Sequence, residues 1–141
     1  GVVMVCLTIG FIWYQTGTTM VIYLAGLQSI PVELYESCQI DGAGKWQQTK
    51  HITLPMLAPS ITVNVIFVSI TALKTFDFPF ALTGGGPGHF SEVISIRIFY
   101  YAFKSTAYGM GTALSVVLTA FILLVSMLQV KVLRKREEIY G

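Results

Sequence analysis

Glu36–Pro59 reads ESCQIDGAGKWQQTKHITLPMLAP, a polar stretch with an Asp41-Gly42 turn, set between two long apolar segments. Irregular backbone cannot face lipid, because its N–H and C=O groups would lack partners. The stretch therefore lies in water or against another protein, at the mouth of whatever the apolar segments build. Pro31 suits the first position of a short helix, with Glu33 and Glu36 near the positive N-terminal end. Asp41-Gly42 breaks that helix, since Asp favours turns and Gly supplies backbone freedom. A second short helix is expected through Lys45-Trp46-Gln47-Gln48, before Pro55 and Pro59 mark entry into the next apolar segment. Two short helices around a glycine bend make a stiff knob.

The rest of the chain says what the knob stands on. Of 141 residues, 54% are hydrophobic and 11% charged, against about 25% charged in soluble domains. The mean hydropathy is +0.70, which points to lipid. A helix needs about 20 apolar residues to cross a bilayer core, and three stretches qualify: about 2–27, 60–82 and 108–130. They lack the period-two alternation of barrel strands, so the fold class is an all-α membrane protein. The chain opens on Gly1 and enters an apolar run at once, which reads as the middle of a helix with sequence missing upstream. No basic region precedes that run, as a signal peptide requires.

Orientation follows from lysine and arginine placement. Lys45, Lys50, Lys131, Arg134, Lys135 and Arg136 fall in the 28–56 loop and the 131–141 tail, whereas the 83–107 loop holds only Arg97 and Lys104. This puts the first loop and the tail in the cytoplasm. The 83–107 loop is then outside, and its Phe90, Phe99, Tyr100, Tyr101 and Phe103, with Tyr108 just beyond it, suit an interface. Gly84-Gly85-Gly86-Pro87-Gly88 reads as a turn, and Ser91-Glu92 as the start of a short helix. Val93–Ile98 also alternates like a strand.

The order Glu36, Asp41-Gly42-Ala43, Ile52, Leu54-Pro55 and Pro59 resembles the EAA loop of ABC importer permeases. A plain connecting loop would leave that spacing to coincidence. The resemblance implies three transmembrane helices of a MetI-like permease core with a cytoplasmic coupling-helix loop that docks on an ATP-binding subunit. On that likeness Glu36, Ser37, Cys38, Asp41, Gly42 and Ala43 form the ATPase-coupling site: Glu36 meets a basic group, Asp41 holds the turn and Gly42 forms the bend. Ser37 and Cys38 replace the usual two alanines. Thr49 stands where a large apolar residue is common, which weakens the expected anchor.

Ala25-Gly26-Leu27-Gln28-Ser29-Ile30-Pro31, Phe76-Asp77, Leu82-Thr83-Gly84-Gly85-Gly86-Pro87, Ala102-Phe103 and Ala113-Leu114-Ser115 extend the resemblance. They look like permeases of the maltose and glycerol-3-phosphate type, as the C-terminal part of a longer subunit. What this implies is carbohydrate import across a bacterial-type cytoplasmic membrane by alternating access. The implied partners are an ATPase dimer, a second permease subunit, an extracytoplasmic solute-binding protein and membrane lipid. ATP and Mg sit on the partner ATPase, and this chain binds no cofactor.

Ser60, Asn64, Phe67, Thr71, Lys74, Thr75 and Phe78 fall on one stripe at about 3.6 residues per turn. Such a stripe either walls a solute path or glues helices together. The resemblance favours the path, with Trp13, Tyr14, Gln15, Thr18, Thr71, Ala72 and Thr75 at the corresponding positions, and Asn64 of the stripe joins them as a candidate path residue. Lys74 and Asp77, three apart, read as a mutual pair. Cys6 and Cys38 read as small buried side chains, and His51 and His89 as solvated ones. No nucleophile–base pair, metal cluster or nucleotide loop appears. The Gly-rich run lacks a following Gly-Lys-Ser/Thr, so the chain is not an enzyme and nothing points to nucleic acid. The rival readings are an ion-coupled secondary transporter or channel subunit, and a membrane enzyme or passive anchor. Neither has a use for the Asp-Gly knob.

Overall fold

The computed structural model describes residues 2–86, 88 and 91–140, with side chains as far as Arg134. Among these residues every regular element is helical. Pro87, His89 and Phe90, and the side chains of Lys135 and Arg136, lie outside the described set.

Helix α1 spans Val2–Gln28. Its apolar residues are spread around the helix, with Gln15, Thr16, Thr18 and Thr19 in its middle, and it carries no charge, which suits lipid and helix neighbours more than water. It stops where Ser29 Oγ donates to Gly26 O at 2.7 Å and Pro31 follows, a residue that cannot continue a helix. Helix α2 is Val32–Ile40, with Pro31 just outside it at ψ 134°. The proline thus flanks the helix instead of occupying its first position. After the turn, α3 (Lys45–Gln48) runs directly into a π-helical turn, Thr49–Thr53, and α4, Leu54–Met56. The second short helix is therefore longer than Lys45–Gln48. The chain tolerates Pro55 by widening the turn before it, a usual way to absorb a lost i→i−4 bond. The run then bends by 58° into α5, Ala58–Leu73.

The apolar stretch 60–82 is not one helix. Helix α5 ends at Leu73 and α6, Asp77–Thr83, starts afresh after Lys74, Thr75 and Phe76. Pro79 is the reason: inside a continuous helix it would lose its bond to Thr75 O and clash with that carbonyl. In the first turn of a new helix it does neither. The break also takes Lys74, Thr75 and Phe78 off the stripe that begins at Ser60.

Helix α7 is Ile94–Phe99, followed by a π-helical turn at Tyr100–Lys104. The strand reading of Val93–Ile98 thus gives way to a helix, and its start lies beyond Ser91-Glu92. Ser91 is instead fully buried, its hydroxyl donating to Gly86 O at 2.7 Å and lying 2.8 Å from Thr83 Oγ1. Helix α8 runs over Tyr108–Tyr140, so the tail from residue 131 continues the last helix. By length and composition, Val2–Gln28 and Tyr108–Arg134 can each cross a membrane, and the bent pair Lys45–Met56 and Ala58–Leu73 makes a third candidate span.

The chain forms two compact units, residues 1–15 with 68–127 and residues 16–67 with 128–141. In the first, Phe76, Phe80, Phe99 and Phe103 cluster, with centroid separations of 4.9 Å for Phe76–Phe80 and 5.2 Å for Phe99–Phe103. That cluster fastens α6 to α7. In the second, Gly26 lets α1 approach the start of α5: a Cβ there would stand 2.9 Å from Leu57 Cδ2 and from Ser60 Cβ. Cys38 is half-buried, but Cys6 is exposed on α1. The expected burial of Cys6 is thus overturned: an apolar run along α1 does not by itself tell packed positions from exposed ones.

Candidate functional site

The turn between α2 and α3 is built almost wholly from backbone bonds. Asp41 N donates to Ser37 O at 3.1 Å, Gly42 N to Gln39 O at 3.0 Å and Ala43 N to Cys38 O at 3.0 Å. Gly42 has φ +76°, a left-handed conformation that costs a side-chain-bearing residue about 1–2 kcal/mol. Gln48 Nε2 reaches back to Ala43 O at 3.2 Å, and Gly44 N donates to Gln47 Oε1 at 3.0 Å. These bonds hold the bend from both sides.

Of the six residues proposed for coupling, Glu36, Ser37, Asp41 and Gly42 are exposed, while Cys38 and Ala43 are half-buried. Ile40 is 87% exposed and Trp46 80%. Two large apolar side chains thus flank the bend without cover. Thr49, at the position where an apolar anchor was lacking, spends its hydroxyl on Lys45 O at 2.9 Å. His51 Nδ1 lies 3.0 Å from Gln47 O, and its side chain is exposed.

In the first unit a cavity of about 370 Å³ is lined by Phe11, Tyr14, Thr71, Lys74, Thr75, Phe76, Asp77 and Phe78. Its size falls in the range of small-molecule sites, about 300–1,000 Å³. The break between α5 and α6 makes it, because it turns Lys74 and Asp77 out of helical register. Neither residue's charge is spent on the other: no ion pair joins them, which corrects the reading of a mutual pair. The ring of Phe78 stacks on Tyr14 at 6.2 Å and forms a T-shaped pair with Phe11 at 6.2 Å. A cation, an anion, hydroxyls and aromatic faces thus line one hollow.

The structure brings together Tyr14, Thr71 and Thr75 of the proposed path. Ala72 and Thr75 line an adjoining cavity of about 230 Å³. Trp13 does not join them and is 84% exposed. Gln15 is 6% exposed, and its Nε2 has no partner among the described residues. Thr18 and Asn64 fall in the second unit, Thr18 exposed and Asn64 buried with Oδ1 unpartnered among the described residues. Gly10, Phe11 and Phe76 are the lining and seating residues that pattern reading missed. The signal available was Gly10, a small residue inside a long membrane helix, where helices commonly come close.

Residues 1–138 match the family described as "Binding-protein-dependent transport system inner membrane component". The chain is 42% identical to the sulfoquinovosyl glycerol transport system permease protein SmoG of Agrobacterium fabrum, over 94% of this chain and 42% of that protein. It is 39% identical to the trehalose/maltose transport system permease protein MalF of Thermococcus litoralis, over 94% of this chain and 44% of the relative. A crystal structure of a bacterial ABC transporter involved in the import of the acidic polysaccharide alginate superposes with a TM-score of 0.76 at 30% identity. That match covers 88% of this chain and 44% of the other. The chain spans less than half the length of the relatives it matches.

Proposed function

Since the chain belongs to the family of binding-protein-dependent transport system inner membrane components, we propose that it is the coupling and solute-lining part of a carbohydrate importer driven by an ABC ATPase. The observation that carries this reading is the rigid, exposed α2–Gly42–α3 bend with bare Ile40 and Trp46 beside it. A surface of this kind suits a cleft on a soluble partner, and anchors of the Trp type contribute most where they become fully buried. Ile40 and Trp46 supply the apolar contact that Thr49 does not. Glu36 and Asp41 add the polar rim.

The mechanism is alternating access. A solute-binding protein delivers the sugar on the outer side, and this subunit and a second permease enclose it. Closure of two ATPase subunits, which carry ATP and Mg, then moves the coupling bends. Switching needs a stiff lever, and the backbone bonds across Asp41–Ala43 make one. The cavity beside Tyr14 and Phe78 is the solute path on this subunit: aromatic faces stack on sugar rings, and Lys74, Asp77, Thr71 and Thr75 serve hydroxyl groups. Relatives named for sulfoquinovosyl glycerol and for trehalose and maltose support carbohydrate as the solute class.

The test is co-purification. The full-length protein, drawn from membranes in mild detergent, should bring down an ATP-hydrolysing subunit. Gly42→Asp should release that subunit, or leave it bound while abolishing ATP-driven uptake. An intact, folded protein that retains no ATPase would sink the proposal in favour of an ion-coupled transporter.

A further inference from the structure

An open hollow of about 270 Å³ lies in the first unit and shares no lining residue with the solute cavity. One wall is glycine backbone: Gly84, Gly85 and Gly88 line it at φ +57°, +93° and +63°. Residues with side chains rarely adopt such left-handed values, so this wall stays bare. Bonds fix it in place. Tyr100 Oη donates to Gly84 O at 3.0 Å, and Ser91 Oγ donates to Gly86 O.

Two charged side chains line the hollow, and they are placed differently. The side chain of Glu92 is 7% exposed and that of Arg97 56%, with Arg97 Nε 4.0 Å from Glu92 Oε1. The buried carboxylate thus attracts the guanidinium at its Nε side. The two terminal nitrogens of Arg97 make no hydrogen bond among the described residues, nor does Tyr101 Oη on the same hollow. The other basic side chain of the 83–107 segment, Lys104, holds its Nζ 4.9 Å from the Tyr100 ring centroid and does not line the hollow. Arg97 is therefore the cation presented there.

A planar fork of N–H donors matches a carboxylate through two parallel bonds. Tyr101 Oη adds a third donor. Apart from the tyrosine rings the lining is glycine and charge, which offers no trough for an acyl chain. The place of the hollow also bears on what fills it. Gly84 caps the C-terminal end of α6, and Asp77 and Phe78 at the other end of α6 line the solute cavity. A partner seated against Gly84 touches the helix that borders the solute.

We infer that this hollow seats an acidic side chain of the solute-binding protein, gripped by the Arg97 guanidinium and Tyr101 Oη. This rests on the reading of the chain as part of a binding-protein-dependent importer, and on the outward placement of the 83–107 segment. Glu92 acts as a positioning residue: it holds the guanidinium from behind and leaves the fork turned to the partner.

The test uses the full-length transporter, both permeases with the ATPase dimer, in lipid nanodiscs. The probe is the purified solute-binding protein of the same system, fluorescently labelled to read its Kd. Arg97→Glu should raise that Kd by about tenfold or more, as for one side of a buried charge pair made repulsive. Arg97→Lys keeps the charge without the fork and should raise it less. A benzoylphenylalanine photo-crosslinker at position 101, in an otherwise unaltered transporter, should capture the binding protein through a peptide bearing Asp or Glu. Changing that acid to Arg should restore binding to the Arg97→Glu transporter. An unchanged Kd in Arg97→Glu, or a crosslinker that captures phospholipid or nothing, overturns the seat alone. A wild-type transporter that holds its ATPase but binds no solute-binding protein overturns the importer reading, and the seat falls with it.

Discussion

Tyr35 Oη and Thr53 Oγ1 lie 3.0 Å apart, so the helix before the Gly42 bend is tied to the helical run after it. The pair closes the base of the knob: backbone bonds hold its tip, and this side-chain bond keeps its two arms together. Removing one hydroxyl from a part-buried pair costs about 1 kcal/mol. Tyr35→Phe and Thr53→Val should each lower the unfolding midpoint of the detergent-purified full-length protein. Because both delete the same bond, the double variant should lose little more than either single one. Additive losses would mean that the two hydroxyls act separately.

Gly42 is the strained point of the bend. Gly42→Ala should cost about 1–2 kcal/mol in the turn, whereas Gly42→Asn should cost less because Asn visits the left-handed region more readily. On the proposed function, the functional reading is uptake per ATP hydrolysed, which should fall further for Ala than for Asn. A tolerated Ala with full coupling would show that the bend need not be held at φ +76°.

Gly26 sets the approach of α1 to the start of α5. Gly26→Ala forces its Cβ against Leu57 and Ser60, an overpacking that costs about 1–3 kcal/mol. Ser60→Ala removes one of the opposing atoms, so the double variant should recover part of the stability lost by Gly26→Ala. Thermal unfolding of the two variants side by side checks this.

Ser91 has no access to solvent, and its hydroxyl serves Gly86 O and Thr83. Ser91→Val would bury an unpaired carbonyl, at about 1–3 kcal/mol. The segment around Gly84–Gly86 should then become cleavable by a protease added on its side of the membrane. Ser91→Thr, which keeps the hydroxyl, should protect better than Val.

Lys74 and Asp77 line one cavity without pairing. Lys74→Met and Asp77→Asn should each raise KM for the transported solute. Because the two line one cavity and share the solute, the double variant should depart from the sum of the single effects by about 0.5–3 kcal/mol. An unchanged KM in both single variants would take them off the solute path.

Much of the outline was legible in residue chemistry. The Asp41-Gly42 turn could be read because Asp and Gly have local, one-residue preferences that no tertiary contact overrode. The long helices could be read because a run of apolar residues needs no neighbour to declare itself. The break at residues 74–76 was less visible. Pro79 marked it, but a stripe of polar residues across the same positions suggested a continuous helix. Burial was the least readable, because the apolar residues of α1 and of the membrane-length part of α8 are spread around each helix. Exposed and packed positions then look alike, and Cys6 reads as an inside residue although it is exposed.

By itself, then, the sequence determined that this chain lives in a membrane, where it bends at Gly42, and which family's spacing it carries. These properties are written in hydropathy and turn preference, both of which act over a few neighbouring residues. Only the tertiary structure decided that Lys74 and Asp77 stay apart, that Ser91 is buried under the glycine turn, and that the Phe78 ring fills the space Gly10 leaves. Each of those depends on where a second helix or turn places its backbone, and pairwise packing of that kind leaves no periodic trace in either partner's sequence.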